Sequence, residues 1–228
     1  MSETSTTARA QILNGIRRSL RRGEITGEQR QAVEARLARP PLGPAVARAR
    51  LAQPEKVALF CQWAETNNAT VARVAAPDVA AEVVSFLARN NLPARAAMAP
   101  SPLLAGYDWD SQKMLSLRQG RGEANDQVSV TGAFAGIAET GTLVMASGPD
   151  HPVTLNLLPD THIVVIRESD IVSGYEEVWT RLRERYGKNR MPRTVNTITG
   201  PSRTGDIEQA MELGAHGPRR MHIVVVRE

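Results

Sequence analysis

The 228-residue sequence predicts an α/β fold in which a mostly parallel sheet is covered by helices on both faces. Two observations support this prediction. From residue 54 onward, amphipathic helical segments alternate with short strands rich in β-branched residues. The chain is also long enough, with 42% hydrophobic residues, to bury a core without disulfides or metal ions. We therefore expect one large domain preceded by a helical arm.

The first segment, residues 1–50, is predicted to be an amphipathic helical arm. Ile12, Ile16 and Leu20 are four residues apart, which places them on one face of a helix spanning about residues 8–22. A second short helix is predicted for residues 29–39, before a proline- and glycine-rich break. We expect the arm to pack on the rest of the chain or on a second subunit.

Charge is distributed unevenly between the arm and the rest of the chain. Residues 1–50 contain ten arginines, no lysine and four glutamates, a net charge of +6, whereas residues 51–228 carry a net charge of −2. A basic arm favours contact with an acidic partner, although an ordinary solvated helix face is the alternative. Nucleic acid is not expected, because the arm has no aromatic residue and the chain has no recognisable nucleic-acid-binding motif.

The remaining elements alternate between helix and strand. Pro54 suits the first turn of a helix that ends near Asn67, and Val79, Val83 and Leu87 form the apolar stripe of the next one. Further helices are predicted for residues 175–186 and from about residue 206. Strands are predicted at residues 71–74, 95–98, 114–117, 128–131, 142–146, 162–167, 194–199 and 221–226.

Cysteine content and hydropathy limit the functions that the chain can have. Cys61 is the only cysteine, which excludes an internal disulfide and any metal ion or iron–sulfur cluster held by several cysteines of this chain. No apolar run approaches the roughly 20 residues that span a bilayer, and no secretory signal is recognisable. We therefore expect a cytoplasmic protein without a membrane span.

The first candidate site is the segment Glu139, Thr140, Gly141 and Thr142, which directly precedes an apolar run. This pattern predicts a loop that enters a buried strand, with a carboxylate and two hydroxyls facing a cleft. The alternative is that Glu139 only holds the loop in place.

The second candidate site, residues 200–206, lies between a predicted strand and a predicted helix. Such a turn leaves backbone N–H groups for a phosphate or carboxylate, although helix capping by Thr204 or Asp206 is the alternative. The spacing is neither a P-loop nor a dinucleotide fingerprint. We expect both loops to meet at one rim of a single sheet and bind an anion. The predicted ligand residues are Glu139, Thr140, Gly141, Thr142, Gly200, Pro201, Ser202, Arg203, Thr204 and Asp206.

Histidines supply the other candidates. His216, in a turn before the last strand, is a candidate proton carrier together with Glu139, although a hydrogen bond that orders the turn is the alternative. His151 lies in a loop that could cover a cleft, and His162 at a strand start is expected to be structural. The histidines show no metal-binding spacing, so no metal site is predicted.

Four segments in order resemble the lactate-utilisation protein C family (LutC/YkgG, LUD domain). They are IAETGTLV (137–144), LNLLPDTHIVVIRESDIV (155–172), TGPSRTGDIE (199–208) and GAHGPRRMHIVVV (214–226). The resemblance is close over about residues 125–228 and looser over about 50–125, and it includes the N-terminal helix of the AQILNGIRRSL type. Motif positions carry over without catalytic roles. They are Glu139, Thr140, Gly141, Thr142, Gly200, Pro201, Ser202, Asp206, Ile207, Glu208, His216, Gly217 and Pro218.

The resemblance implies a fold and two functional hypotheses. The fold would be a three-layer α/β/α sandwich like that of the NagB/RpiA/CoA-transferase group, with the LUD domain at residues 51–228. The first hypothesis is a subunit of a complex that oxidises L-lactate to pyruvate together with iron–sulfur partner proteins. The clusters would lie on those partners, and this chain would bind no cofactor.

The second hypothesis is a stand-alone enzyme that acts on a phosphorylated or carboxylated small molecule. Glu139 would then be the nucleophile or general base, with the backbone of residues 202–206 holding the anion. The sequence leaves open whether the chain is catalytic alone, and whether it forms a homo-oligomer.

Overall fold

The structure, a computed structural model, describes residues 7–23, 25–41, 43, 50–187, 190–205 and 211–228. The chain divides into two compact units, Met1–Gly43 and Pro44–Glu228. No helix of these described ranges is both long and apolar enough to cross a membrane.

The first unit contains the two helices that the apolar spacing predicts, α1 (Ala8–Ser19) and α2 (Gly27–Ala38). The Thr7 hydroxyl caps α1 by accepting a hydrogen bond from the Ala10 N–H. A capping box between Thr26 and Gln29 begins α2. Ile12 and Leu20 on the apolar stripe are 64% and 58% exposed, and the surface that this stripe contacts stays a prediction.

The second unit contains five helices and twelve strands among its described residues. The helices are α3 (Gln53–Thr66), α4 (Val79–Arg89), α5 (Pro102–Ala105), α6 (Thr154–Leu157) and α7 (Tyr175–Tyr186). The strands are β1 (Thr70–Ala75), β2 (Arg95–Met98), β3 (Ser116–Gln119), β4 (Val128–Gly132), β5 (Ala135–Ile137), β6 (Thr142–Ala146), β7 (Thr161–Arg167), β8 (Ile171–Val172), β9 (Val195–Ile198), β10 (Arg203–Gly205), β11 (Met211–Leu213) and β12 (Arg220–Arg227).

A six-stranded sheet in the order β1-β12-β7-β4-β2-β3 forms the centre, and every neighbouring pair in it is parallel. The predicted α/β fold with a mostly parallel sheet is therefore confirmed. The central strands β7 and β12 are nearly continuous runs of β-branched residues that are buried on both faces. Such runs are typical of parallel strands that are covered on both sides.

The two faces of the central sheet are covered differently. Helix α4 packs Val83, Phe86 and Leu87 against one face. On the other face, helix α3 contributes Val57 and Phe60, and it shares that face with residues of a second sheet. This second sheet, in turn, is covered by helix α7.

The second sheet has four strands in the order β8-β5-β6-β9 and is largely antiparallel. Strands β6 and β9 form at the predicted positions, but their assignment to the parallel sheet is wrong. A short apolar run indicates a strand without indicating its partner, so periodicity could not separate the two sheets. Strands β5 and β8 are only three and two residues long, which is too short for a recognisable alternation.

The predicted strand-to-helix turn after β9 is also wrong for the described residues. The described part of this segment, Arg203–Gly205, forms strand β10, which pairs antiparallel with β11. The predicted helix start at Asp206, with Ile207 and Glu208, lies outside the described residues.

Candidate functional site

The segment Glu139 to Thr142 forms the turn of the β5–β6 hairpin, in which Ile137 pairs with Thr142. Gly141 has a positive φ of 66°, which closes such a turn and which other residues rarely adopt. A β-carbon at this position would lie 2.6 Å from the backbone carbon of Trp63. The glycine is therefore required because the hairpin packs directly on the C-terminal end of helix α3.

Gly200 makes an equivalent contact with the same end of α3. Its φ is 73°, and a β-carbon there would overlap the backbone oxygen of Asn67. The Asn67 side chain donates hydrogen bonds to Trp63 O (2.8 Å) and Thr140 O (3.3 Å). Both glycine-containing motifs therefore pack against the C-terminal end of α3. Asn67 links this end to the motif of residues 139–142 through its hydrogen bond to Thr140 O.

Three threonine hydroxyls connect the hairpin to the end of β9. Thr140 Oγ1 and Thr142 Oγ1 are 2.7 Å apart, and Thr142 Oγ1 is 2.7 Å from Thr199 Oγ1. Tyr175 at the start of α7 adds a longer contact of 3.5 Å to Thr142 Oγ1. The fully buried Thr142 hydroxyl is thus the centre of the row, and each group satisfies the polar atom of its neighbour.

Glu139 is 9% exposed and lies at the N-terminal end of helix α7. Its backbone N–H donates to Ser173 O, and a β-carbon on Gly174 would lie 3.1 Å from its Oε1. A carboxylate near a helix N-terminus is favoured by the helix dipole. This geometry fits the alternative in which Glu139 ties the hairpin to a neighbouring element, and a catalytic role for Glu139 stays a prediction.

Ser202 and His216 are brought together by the turns around β10 and β11. The His216 N–H donates to Ser202 Oγ (3.3 Å), while the Ser202 N–H donates to Pro218 O (2.8 Å). The latter bond uses an N–H that was predicted to bind an anion. His216 is exposed, and its proposed partnership with Glu139 also stays a prediction.

The predicted site residues therefore form two neighbouring groups. Residues 139–142 meet Thr199 and Gly200 at the end of α3, and Ser202 meets the turn that contains His216. Arg203 and Thr204 belong to β10, and Asp206 lies outside the described residues. The two loops were expected to meet at one rim of a single parallel sheet. The residues that do meet, 139–142 with Thr199 and Gly200, lie at one end of the second sheet.

A cavity among the described residues lies elsewhere, at the carboxyl edge of the central sheet. Its volume is about 770 Å³. The residues after β2, β4 and β7 contribute to its lining, and these three strands are neighbours in the sheet. Parallel sheets bind ligands beyond the carboxyl ends of their strands. We call this cavity the carboxyl-edge cleft; it is lined by Ser101, Pro102, Leu103, Gly132, Ala133, Phe134, Ala146, Asp150, His151, Arg167, Asp170, Arg181, Glu184, Arg185 and Tyr186.

The floor of the carboxyl-edge cleft is mostly apolar, whereas its walls are charged. The N–H groups of Ala133 and Phe134 on the floor already donate to Val165 O and Val144 O. Arg167, Arg181 and Arg185 contribute three cations to the lining, and Asp150, Asp170 and Glu184 contribute three carboxylates. These two N–H groups are therefore not available to a ligand, whereas the charged side chains of the lining are at hand.

His151 is 7% exposed and borders the cleft. The turn that carries it is closed by two backbone hydrogen bonds between Gly148 and His151, of 3.1 and 3.3 Å. Its Nε2 lies 3.2 Å from Asn156 Oδ1 on helix α6. Burial lowers the pKa of His151 from 6.5, and the bond to Asn156 opposes this effect. The imidazole is thus fixed in position and favoured in its neutral form.

A second histidine lies inside the sheet, close to His151. His162 Nε2 is 2.7 Å from Thr131 Oγ1, and the side chain is fully buried. Burial lowers its pKa to about 3, with a smaller contribution from His151. His162 is therefore neutral under physiological conditions.

Most residues of the carboxyl-edge cleft were not predicted from the sequence. Of the residues that line it, His151 alone was predicted to lie near a cleft. Arg181 and Arg185 lie on a helix whose charges look like an ordinary solvated face, and Arg167 ends a strand. The position of Arg167 after an apolar run was the one available signal, because such positions face the ligand edge of a parallel sheet. No group of three or more His, Cys, Asp or Glu within the described ranges could hold a metal ion.

Comparison with known proteins relates these features to a family. Residues 57–226 match the LUD domain family. An uncharacterized protein of Neisseria meningitidis serogroup B is 39% identical over 102 residues, covering 45% of this chain and 43% of that protein. Lactate utilization protein C of Geobacillus thermodenitrificans is 33% identical over 132 residues, covering 57% of this chain and 53% of that protein. The protein of the same name from Bacillus subtilis is 31% identical over 130 residues, with the same coverages of 57% and 53%.

A solved structure shows the same fold. The crystal structure of a DUF162 family protein from Deinococcus radiodurans matches with a TM-score of 0.57 and 24% identity, covering 77% of this chain and 99% of that one. The chain spans only about half the length of the curated relatives that it matches.

Proposed function

Because this chain belongs to the LUD domain family, we propose that it acts in lactate utilization, as a subunit of a complex that oxidises L-lactate to pyruvate. The observation that carries this proposal is the match to several proteins named Lactate utilization protein C at 30–35% identity. The order of the four motifs supports it, because all four lie within the matched family region or its edges.

In this proposal the redox clusters belong to iron–sulfur partner proteins. The chain has one cysteine, so it cannot supply the several thiolates that a cluster requires. Burial raises the pKa of the Cys61 thiol to about 11, which keeps it protonated and makes it a poor metal ligand. The expected compartment is the cytoplasm, where such partners operate under reducing conditions.

A growth experiment tests the proposal. The gene is deleted in a host that lacks other lactate-oxidising enzymes, and growth on L-lactate is compared with growth on pyruvate. We expect the deletion to stop growth on L-lactate only, and the wild-type gene on a plasmid to restore it. Unimpaired growth of the deletion strain on L-lactate would remove the proposal.

A purification experiment tests the partner assignment separately. The tagged chain is expressed with its candidate iron–sulfur partners and purified at low salt. We expect the cluster absorbance to copurify with the tag, and the chain purified alone to show no cluster. Cluster absorbance in the chain alone, or none in the coexpressed sample, would contradict the assignment.

A second function, a stand-alone enzyme for a carboxylated or phosphorylated small molecule, is favoured by one observation. The carboxyl-edge cleft lies where parallel α/β sheets bind ligands and is lined by three arginines. Conversion of a small acid by the purified chain alone, without partners, would support this function. Activity that requires the iron–sulfur proteins would exclude it.

A further inference from the structure

The three arginines of the carboxyl-edge cleft differ in their hydrogen-bond partners. Arg167 Nε donates to Asp170 Oδ2 (2.9 Å), and Arg181 donates to Asp170 O (3.4 Å) and Ser169 O (3.3 Å). Arg185, in the last turn of α7, is exposed and makes no hydrogen bond or ion pair with any other described residue. Its guanidinium is therefore the group that can bind a carboxylate in a bidentate manner.

His151 supplies a second polar group at a fixed position in the same cleft. The turn at Gly148 and the contact with Asn156 hold the ring, and they occupy its Nε2. Because Asn156 Oδ1 only accepts, Nε2 carries the proton and Nδ1 can accept a hydrogen bond from a hydroxyl. Nδ1 donates to a carbonyl only in the other tautomer, in which the Asn156 amide turns so that its Nδ2, which has no partner among the described residues, donates to Nε2. Both His151 and Arg185 line this cleft, so a ligand that carries an oxygen as well as a carboxylate has a partner for each group.

The interior behind His151 is unusually polar. Asn156 Nδ2 and His162 Nδ1 are buried and have no hydrogen-bond partner within the described part of the chain. Buried polar atoms of this kind cost free energy unless water or a ligand satisfies them. Neither residue lines the cleft, so these two atoms suit ordered water beside His151 rather than the ligand itself.

The carboxylates of the lining restrict the charge of the ligand. Arg167 and Arg181 are already engaged by Asp170 and by backbone carbonyls, which leaves Arg185 to offset the two further carboxylates of the lining, Asp150 and Glu184. This balance disfavours a dianion such as a phosphate ester. A monocarboxylate needs one cation and tolerates the two acids better. The volume of about 770 Å³ and the apolar side chains of Pro102, Leu103 and Phe134 leave room for an aliphatic tail.

We propose that the carboxyl-edge cleft binds a 2-hydroxy or 2-oxo monocarboxylate, with Arg185 on the carboxylate and His151 on the 2-oxygen. This inference rests on the proposed function and assigns its substrate class to a site on this chain. It differs from the sequence prediction, which assigned the anion to residues 139–142 and 200–206.

Binding to the purified chain, measured by titration calorimetry or ligand-observed NMR, tests the inference. L-Lactate, pyruvate and propionate are the probes, because propionate has the same carbon number and carboxylate without the 2-oxygen. We expect L-lactate and pyruvate to bind about tenfold more tightly than propionate, as for one hydrogen bond to a charged or polar group. Inorganic phosphate should bind more weakly than either.

Variants locate the binding site. Arg185→Gln should weaken the binding of all three acids about tenfold or more, because each loses its carboxylate partner. Arg183→Gln is the matched control, since Arg183 is exposed on the same helical turn and does not line the cleft. His151→Leu should remove the difference between L-lactate and propionate while leaving propionate binding unchanged. Circular dichroism establishes that each variant is folded.

Several outcomes would overturn the inference. Equal affinity of the wild-type chain for L-lactate and propionate would exclude a role for the 2-oxygen, and this result needs no variant. Equal loss of binding in the Arg183 and Arg185 variants would indicate general electrostatic attraction. No binding up to about 50 mM of any probe would exclude the site. If lactate growth still depended on the gene, only the inference would fail, and the proposed function would stand.

Discussion

The hydroxyl oxygens of Thr142 and Thr199 lie 2.7 Å apart, although 57 residues separate them in the chain. This contact joins the start of β6 to the residue after β9. Thr142 also contacts the hydroxyl of Thr140, and the neighbouring glycines Gly141 and Gly200 both pack against the end of helix α3. The two motifs that the sequence suggests as a ligand site therefore hold the second sheet against helix α3.

Replacing Thr142 by valine should destabilise the protein without changing the fold. The variant keeps the side-chain shape, but it leaves the Thr140 and Thr199 hydroxyls without their common partner. We expect the free energy of unfolding in urea to fall by about 1–2 kcal/mol. Thr180→Val, at an exposed helical position, is the control and should change it by less than about 0.5 kcal/mol. Equal effects of both variants would show that the row of hydroxyls contributes nothing.

Replacing Gly141 by alanine should be more damaging than the same change at Gly187. Both glycines have positive φ, of 66° and 84°, but a β-carbon at 141 would strike the backbone of α3, whereas position 187 is open within 4 Å. We expect a loss of about 1 kcal/mol at 187 from backbone strain, and of about 2–4 kcal/mol at 141, where overpacking is added. Thermal and urea unfolding would measure both losses. Similar losses at the two positions would mean that the hairpin shifts away from α3 at little cost.

Stability should decrease as the pH falls below about 6.5, partly because of His162. Its pKa of about 3 in the folded chain lies below the ordinary value of 6.5. In that window the unfolded chain binds a proton that the folded chain does not, so acid favours unfolding by up to about 1.4 kcal/mol per pH unit.

The His162→Gln variant isolates this contribution. Its absolute stability will be lower, but the slope of unfolding free energy against pH, measured by urea unfolding at about pH 7, 6 and 5, should be shallower than in the wild-type chain by about the same 1.4 kcal/mol per unit. His151 and His222, whose pKa values are also lowered by burial, keep a residual slope in the variant. Parallel profiles would show that His162 binds its proton equally in both states.

The thiol of Cys61 should react slowly in the native protein. Burial raises its pKa to about 11, opposed by the nearby Arg73. At about pH 8 the thiolate fraction is then about two orders of magnitude lower than for an ordinary thiol, and alkylation by iodoacetamide should slow accordingly. The urea-unfolded chain serves as the reference, and equal rates in both states would contradict the burial of this side chain.

The sequence predicted the fold class and most element positions because the strong signals are local. The apolar stripe of α4 and the β-branched runs of β7 and β12 identify themselves by periodicity. What periodicity does not encode is pairing. Strands β6 and β9 were located correctly but belong to a second sheet, since a short buried strand looks the same whether its neighbours are parallel or antiparallel.

The candidate site was harder to predict because its residues are ordinary in sequence. Gly141 and Gly200 stood out as unusual, yet the structure explains them by close packing on α3. Arg185 did not stand out, since an arginine in the last turn of a helix is common for electrostatic reasons alone. Its importance depends on the strands that end opposite it, and these are far away in the chain.

The position of β12 has a consequence for biosynthesis. This strand, residues 220–227, is inserted between β1 and β7, and it is the sole neighbour of β1 in the central sheet as described. A nascent chain that ends before residue 220 therefore exposes a strand edge on both β1 and β7, with no native strand to cover them. Unpaired edges of this kind are open to aggregation or to chaperones, so the centre of the sheet is complete only once β12 pairs with both of its neighbours.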